Sequence, residues 1–228
     1  MAAKSLGIVL YEPEELIVVV RGDITLSVLE NTLSEHHQWI PTLGAAEHPE
    51  NILSKAIEED YYHPRTQSCG MLRTSILGGS FTTKKGETFK SGSRVVKSVA
   101  GYDIHRAFCG SHGAFGTIET VTLKVQAKPQ SFFHFFAPLS ALPDVQQCYP
   151  TILEEHNGRL FVELAGYAED VAYDRQKISA LSIEEIDNAT AASTIKGIIV
   201  DRTKNNSLKS ESDVLLSKLI SVFKTSKK

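Results

Sequence analysis

Cysteine is scarce. Cys69, Cys109 and Cys148 are the three among 228 residues, and no two form a C-x-x-C pair. That spacing speaks against a zinc site or an iron–sulfur cluster. An odd, scattered set also speaks against a disulfide-stapled secreted scaffold, so free thiols in a reducing cytoplasm are the plain reading. Long apolar runs are missing too, and none approaches the ~20 residues that cross a bilayer. The N-terminal stretch "MAAKSLGIVLYEPEELIVVV" is interrupted by Lys4, Gly7, Glu12, Glu14 and Glu15, so it lacks the core of a signal peptide. There is no excess of basic charge: the formal net charge is -3, which gives no footing for nucleic acid as a partner. Neither G-x-x-x-x-G-K-[ST] nor G-x-G-x-x-G between a strand and a helix occurs, which excludes P-loop and Rossmann nucleotide sites. What remains is 42% hydrophobic and 22% charged, the balance of a soluble protein large enough to bury a core.

Hydrophobic patterning predicts the elements. "LIVVVRGD" from Leu16 to Asp23 is short, β-branched and closed by a glycine turn, as a buried strand is. Leu26, Leu29 and Leu33 recur at helical spacing, with Thr25 or Ser27 as the cap and Pro41 beyond the end. Ile52, Leu53, Ala56 and Ile57 share a second helical face that ends before Pro64. "SILGGSFTTKKGETFKSG" reads as two strands turned at Lys85-Gly86. A short helix follows Gly101, with Asp103 near its start. "TIETVTLKV" puts Val121, Leu123 and Val125 on one face of a strand. Beyond Gln130, "FFHFFAPL" is an aromatic strand and "LPDVQQCYPTILEEHN" a helix interrupted near Pro150. "GRLFVELAGYAED" is a strand, and "AEDVAYDRQKI" opens another helix. This second unit suggests half of a split βαβ layer. The expected divisions are residues 1–129, 130–180 and a polar, basic tail over 181–228. Within that tail Val214, Leu215, Leu219 and Val222 follow helical spacing. Docking to a partner or to its own domain is the plain reading, and an anionic membrane surface the sharper one.

Gly110, Gly113 and Gly116 recur every third residue just before the regular strand. Two explanations stand. The glycines let the backbone lie against a phosphate-bearing cofactor, or they make a tight turn feeding the strand. His36, His37 and His63 lie near Glu35, Glu47 and Asp60, but no metal-ligand spacing recurs, so solvated histidines on helix ends are expected. A His105–Asp103 catalytic pair is disfavoured, because residues two apart do not share a helix face. No residue stands out as a catalyst.

"VVKSVAGYDIHRAFCGSHGAFGTIETVTLKV" resembles a stretch of the glycolate oxidase FAD-binding subunits that reads V-M-K-N-V-A-G-Y-D-x-x-R-L-x-x-G-S-x-G-x-L-G-x-x-T-E-V-x-L-K-V. The matching positions are Val96, Lys97, Val99 to Asp103, Arg106, Gly110, Ser111, Gly113, Gly116, Val121 and Leu123 to Val125. The likeness runs from Gly7 to Pro129 and fades thereafter. It implies an α+β fold of the vanillyl-alcohol-oxidase, or PCMH, type, followed by a reduced ferredoxin-like segment. It also implies oxidation of a 2-hydroxy acid, with FAD carrying the redox chemistry. Gly101, Tyr102, Gly110, Ser111, Gly113 and Gly116 would be the cofactor contacts. A related FAD subunit and an iron–sulfur subunit would be the partners, in the cytoplasm or at the inner face of the membrane.

Two departures qualify that expectation. The family's opening subdomain, with a P-x-G-G-G-T loop around the pyrophosphate, is expected to be missing. Where the family has a T-L-G-G turn, this chain has "NILSKAIEED", with Ser54 and Lys55 in place of the glycines and Glu58, Glu59 and Asp60 following. His112, Ala114 and Glu119 also depart from the family's usual residues. Each lost phosphate contact removes about 1.5–3 kcal/mol. The sequence therefore predicts an accessory subunit of a glycolate-oxidase-like complex with its flavin shared or lost. The alternatives are a self-sufficient FAD oxidoreductase and a non-enzymatic interaction module on a degenerate flavoprotein scaffold.

Overall fold

The structure is a computed structural model and describes residues 7–44, 48–60, 62–92 and 103–205. Gly101, Tyr102 and the C-terminal helix expected around Val214 to Val222 lie outside those residues.

The first layer is built on a five-stranded antiparallel sheet of order β1-β2-β6-β4-β5. Its strands are β1 (Ile8–Glu12), β2 (Ile17–Arg21), β4 (Ile76–Thr83), β5 (Thr88–Gly92) and β6 (Gly116–Lys124). Helices α1 (Leu26–Ser34) and α2 (Leu53–Glu59) contribute to its core, and the short α3 (Thr66–Cys69) and α4 (Leu72–Ser75) lead into β4. Thr25 is the cap of α1, its hydroxyl accepting from the Val28 N–H at 3.4 Å. Leu26, Leu29 and Leu33 of α1 and Leu53, Ala56 and Ile57 of α2 join Val18, Val20, Val121 and Leu123 in one apolar core. Ile52, expected on that face, caps α2 and is exposed. The pairing of β4 with β6 slips between Ser80 and Phe81, which face Thr120 and Ile118. This bulge at Glu119 is why Ile118 and Val121, three apart, both reach the core. A two-stranded ribbon of β3 (Gln38–Trp39) and β7 (Gln126–Ala127) leads towards the second layer.

That layer is a four-stranded antiparallel sheet of order β11-β8-β10-β9. It contains β8 (Ser131–Pro138), α5 (Leu142–Gln146), β9 (Ile152–His156), β10 (Arg159–Gly166), α6 (Ala168–Lys177) and β11 (Glu184–Ile186). The order β-α-β-β-α-β with the first and third strands central is the ferredoxin-like arrangement. The expectation of an interrupted helix through "TILEEHN" is corrected here. Tyr149 adopts a positive φ of 48°, Pro150 cannot continue a helix, and β9 follows instead. Asn157-Gly158, with φ of 52° and 75°, turns β9 into β10 as such a pair favours. The second sheet also runs past the division expected at 180, because β11 pairs with β8. Helix α7 (Asn188–Asn205) then covers the opposite face through Ala191, Ile195, Ile198 and Ile199. Phe133, Phe135, Leu160, Val162 and Leu164 fill the side towards α5 and α6. Phe161 and Ile152 fill the side towards α7. Burial on both faces explains why β8 and β10 read as continuous apolar runs rather than alternating ones.

Among the described residues no helix is long and apolar enough to cross a membrane.

Candidate functional site

Two places concentrate polar groups: the glycine turn before β6 and the cleft between the layers. The turn begins after a 3-10 helix at Ile104–Phe108. Gly110 and Gly113 have φ of 71° and 72°, so each supplies a left-handed turn position. A Cβ at Gly110 would lie 3.6 Å from the Asp60 Cβ, and one at Gly113 would lie 3.7 Å from Glu58 Oε2. Those are ordinary contacts, so at these two positions the backbone angle, rather than lack of space, calls for glycine. Gly116 differs. Its φ is 146° and a Cβ would come within 1.9 Å of the Thr82 carbonyl oxygen. The close approach permitted there is that of β4's own backbone.

The turn is stitched to the end of α2. Gly110 N–H donates to the Ile57 carbonyl at 3.1 Å, and His112 N–H to that of Glu58 at 3.0 Å. Ser111 N–H donates to Phe108, and Ala114 N–H to Ser111. The Ser111 hydroxyl is buried without a hydrogen-bond partner among the described residues. Asp60 forms an ion pair with Arg73. Burial raises the Glu58 pKa, Glu59 adds to the rise, and His112 partly offsets it. As placed, this acid-flanked turn with engaged amides does not fit a diphosphate.

The His105–Asp103 pair is absent. His105 is buried with Nδ1 3.1 Å from the Ser91 hydroxyl, whereas Asp103 is exposed and sits 3.3 Å from Arg106. Burial pushes the His105 pKa down. The expected solvated histidines also divide. His36 is exposed and packs edge-on against Tyr11, but His63 is buried and its Nδ1 accepts from the Arg65 N–H at 3.1 Å. Among the described residues no three His, Cys, Asp or Glu side chains converge as metal ligands would.

The inter-layer cleft was not legible in the sequence. It has a volume of about 260 Å³ and is lined by Trp39, Pro41, Arg65, Phe132, His134 and Ile195, among others. Arg65 donates through Nε and Nη2 to both carboxylate oxygens of Glu163, at 2.7 and 2.6 Å. His134 Nε2 lies 2.9 Å from Glu163 Oε2. Glu163 is fully buried in the middle of β10. Burial pushes its pKa up, but the hydrogen bonds from Arg65 and His134 outweigh that and hold it at about 2. The Arg65 guanidinium also stacks 5.1 Å from the Trp39 ring centre. A second seam joins Tyr62, whose hydroxyl donates to Glu154, to Arg202 of α7, 2.8 Å from Glu154. The signal for the first of these seams was Glu163, an acid inside a strand that is apolar on both faces, since a buried carboxylate needs a partner.

This five-stranded sheet followed by a ferredoxin-like layer is the PCMH-type FAD-binding fold. A solved structure of alkyldihydroxyacetonephosphate synthase superposes with a TM-score of 0.63 at 13% identity, over 85% of this chain and 44% of that one. In sequence the chain is similar to subunits of glycolate oxidase. It is 30% identical over 125 residues to glycolate oxidase subunit GlcE of Escherichia coli, a match covering 55% of this chain and 36% of that protein. It is 27% identical over 126 residues to the mitochondrial D-lactate dehydrogenase [cytochrome] of Arabidopsis thaliana, covering 55% of this chain and 21% of that protein. It is 32% identical over 62 residues to glycolate oxidase subunit GlcD of Bacillus subtilis, covering 27% and 13%. The chain thus spans little more than a third of the GlcE relative and less of the others. No family model matches it.

Proposed function

We propose that this chain is an accessory, FAD-domain-type subunit of a glycolate-oxidase-like complex that oxidises a 2-hydroxy acid. A related FAD subunit carries the flavin chemistry, with the flavin of this chain shared or lost, and an iron–sulfur subunit takes the electrons onward. The observation that carries this reading is the 125-residue match to GlcE on a chain with the PCMH-type fold. The inter-layer cleft supports an accessory role. Its guanidinium, which would otherwise attract a substrate carboxylate, is already neutralised by Glu163. The acid-flanked glycine turn also supports the non-enzymatic module as the second reading.

Affinity purification of the full chain from its native host tests the proposal. The expected result is co-purification of a flavoprotein and an iron–sulfur protein, with 2-hydroxy-acid oxidation in the assembly and none in the chain alone. Isolation of the chain by itself, without such partners, would leave the module reading. Oxidation by the lone chain would establish a self-sufficient enzyme. Fractionation of the same lysate tests association of the assembly with the membrane face.

A further inference from the structure

We infer that this chain is the flavin-free member of that assembly, because two backbone cradles among the described residues that could meet a diphosphate are latched to the protein's own carbonyls. The inference deepens the proposed function and rests on it only for which subunit holds the flavin.

The first cradle is the start of α2. Leu53 N–H donates to the Ile24 carbonyl at 2.9 Å, and Ser54 N–H to that of Gly22 at 2.8 Å. Leu26 N–H in turn donates to Asn51. Two of the amides that an unpaired helix start would present to an anion therefore close on the β2–α1 turn. The closure is tight, since a Cβ at Gly22 would come within 2.1 Å of the Ile118 carbonyl oxygen and 3.3 Å of the Ser54 Cβ. The second cradle is the glycine turn, whose Gly110 and His112 amides close on the far end of the same helix. Helix α2 is consequently stitched at both ends, to the β2–α1 turn and to the segment that feeds β6.

Charge acts in the same direction. The Glu58 carboxylate stands beside Gly113 and Asp60 beside Gly110. A diphosphate entering there would have to break several main-chain hydrogen bonds and face two acids, one of which, Asp60, is paired with Arg73. Each hydrogen bond exchanged without replacement weakens binding by roughly tenfold or more. The glycine pattern is accounted for as a structural seam: two left-handed turn positions that bring the amides onto α2, and one position where β4 leaves no room for a side chain.

The test uses the purified full chain with FAD, ADP and inorganic pyrophosphate as probes. Flavin fluorescence, calorimetric titration and thermal unfolding are the readouts. The expected result is a colourless chain with no saturable binding tighter than about 1 mM. No probe should shift Tm, whereas a ligand at about 100 times its Kd adds enough stability to move Tm by several degrees. Glu58→Gln removes one acid and leaves the amides engaged, so it too should not bind. Saturable FAD or ADP binding by the unaltered chain, or its appearance in Glu58→Gln, overturns the inference. So does a purified assembly with a second flavin for each related FAD subunit. Failure to recover any partner counts against the proposed function instead, and leaves the titrations to judge the closed cradles.

Discussion

Replacing Arg65 with alanine should cost this protein a large part of its stability, for a reason that can be worked from one carboxylate. Glu163 is fully buried in β10, and Arg65 and His134 hold its pKa at about 2 against an ordinary value of 4.5. At ~1.4 kcal/mol for each pH unit, that difference corresponds to about 3 kcal/mol. The folded-state pKa lies below the unfolded one. The contribution is therefore complete above pH 4.5, shrinks as the pH falls, and is gone once the pH passes through about 2. Arg65→Ala strands the carboxylate with His134 alone, and breaking a buried pair on one side typically costs 3–5 kcal/mol, roughly a third of a domain's stability. Urea unfolding followed by circular dichroism is the assay, because the single tryptophan, Trp39, lies against Arg65 and would report the substitution itself. Stability should fall by about 3–5 kcal/mol at pH 7, and by less near pH 3, where part of the contribution has already gone. The double replacement Arg65→Met with Glu163→Leu should recover much of the loss, since no charge is then buried unpaired. A loss below about 1 kcal/mol at pH 7 would mark the pair as no stronger than a surface ion pair, contrary to its burial.

Gly116→Ala should lose more than about 3 kcal/mol in the same assay, because the new Cβ collides with the Thr82 carbonyl at 1.9 Å. Gly86→Ala, also at positive φ but with nothing within 4 Å, should lose only about 1–2 kcal/mol. Equal losses would show that β4 yields to the side chain. Phe161→Ala empties the core between β10 and α7 and should cost about 3–5 kcal/mol; a loss under about 1.5 kcal/mol would mean that α7 collapses into the gap. Burial pushes the Cys109 thiol up to about 11, with Asp60 adding to it, so at pH 8 about one thiol in a thousand is ionised. Cys109→Ser should therefore leave the fast phase of thiol titration in the native protein unchanged, and disappearance of that phase would contradict the assigned environment.

The local elements of the first layer were legible because short-range rules govern them. Leu26, Leu29 and Leu33 state a helical face, Val121, Leu123 and Val125 a strand face, and Gly86 a hairpin. The second layer was harder. β9 was hidden because Ile152 and Leu153 suit a helix or a strand equally, and the decisive clue, Asn157-Gly158, lies in the turn after it. The short β11 and the helix α7 fall inside the expected tail, because α7 carries its apolar residues sparsely and gains burial from a sheet formed far upstream.

The residues themselves determined the α+β layering, the glycine turn and the likeness to glycolate oxidase subunits, since these depend on local backbone preference and on motif spacing. What the glycines face and what neutralises Arg65 follow from the folded arrangement alone. Hydrogen-bond partners such as Gly110 with Ile57, and ion pairs such as Arg65 with Glu163, join positions 53 and 98 residues apart. No local pattern encodes which carbonyl or carboxylate a folded chain will bring to a donor.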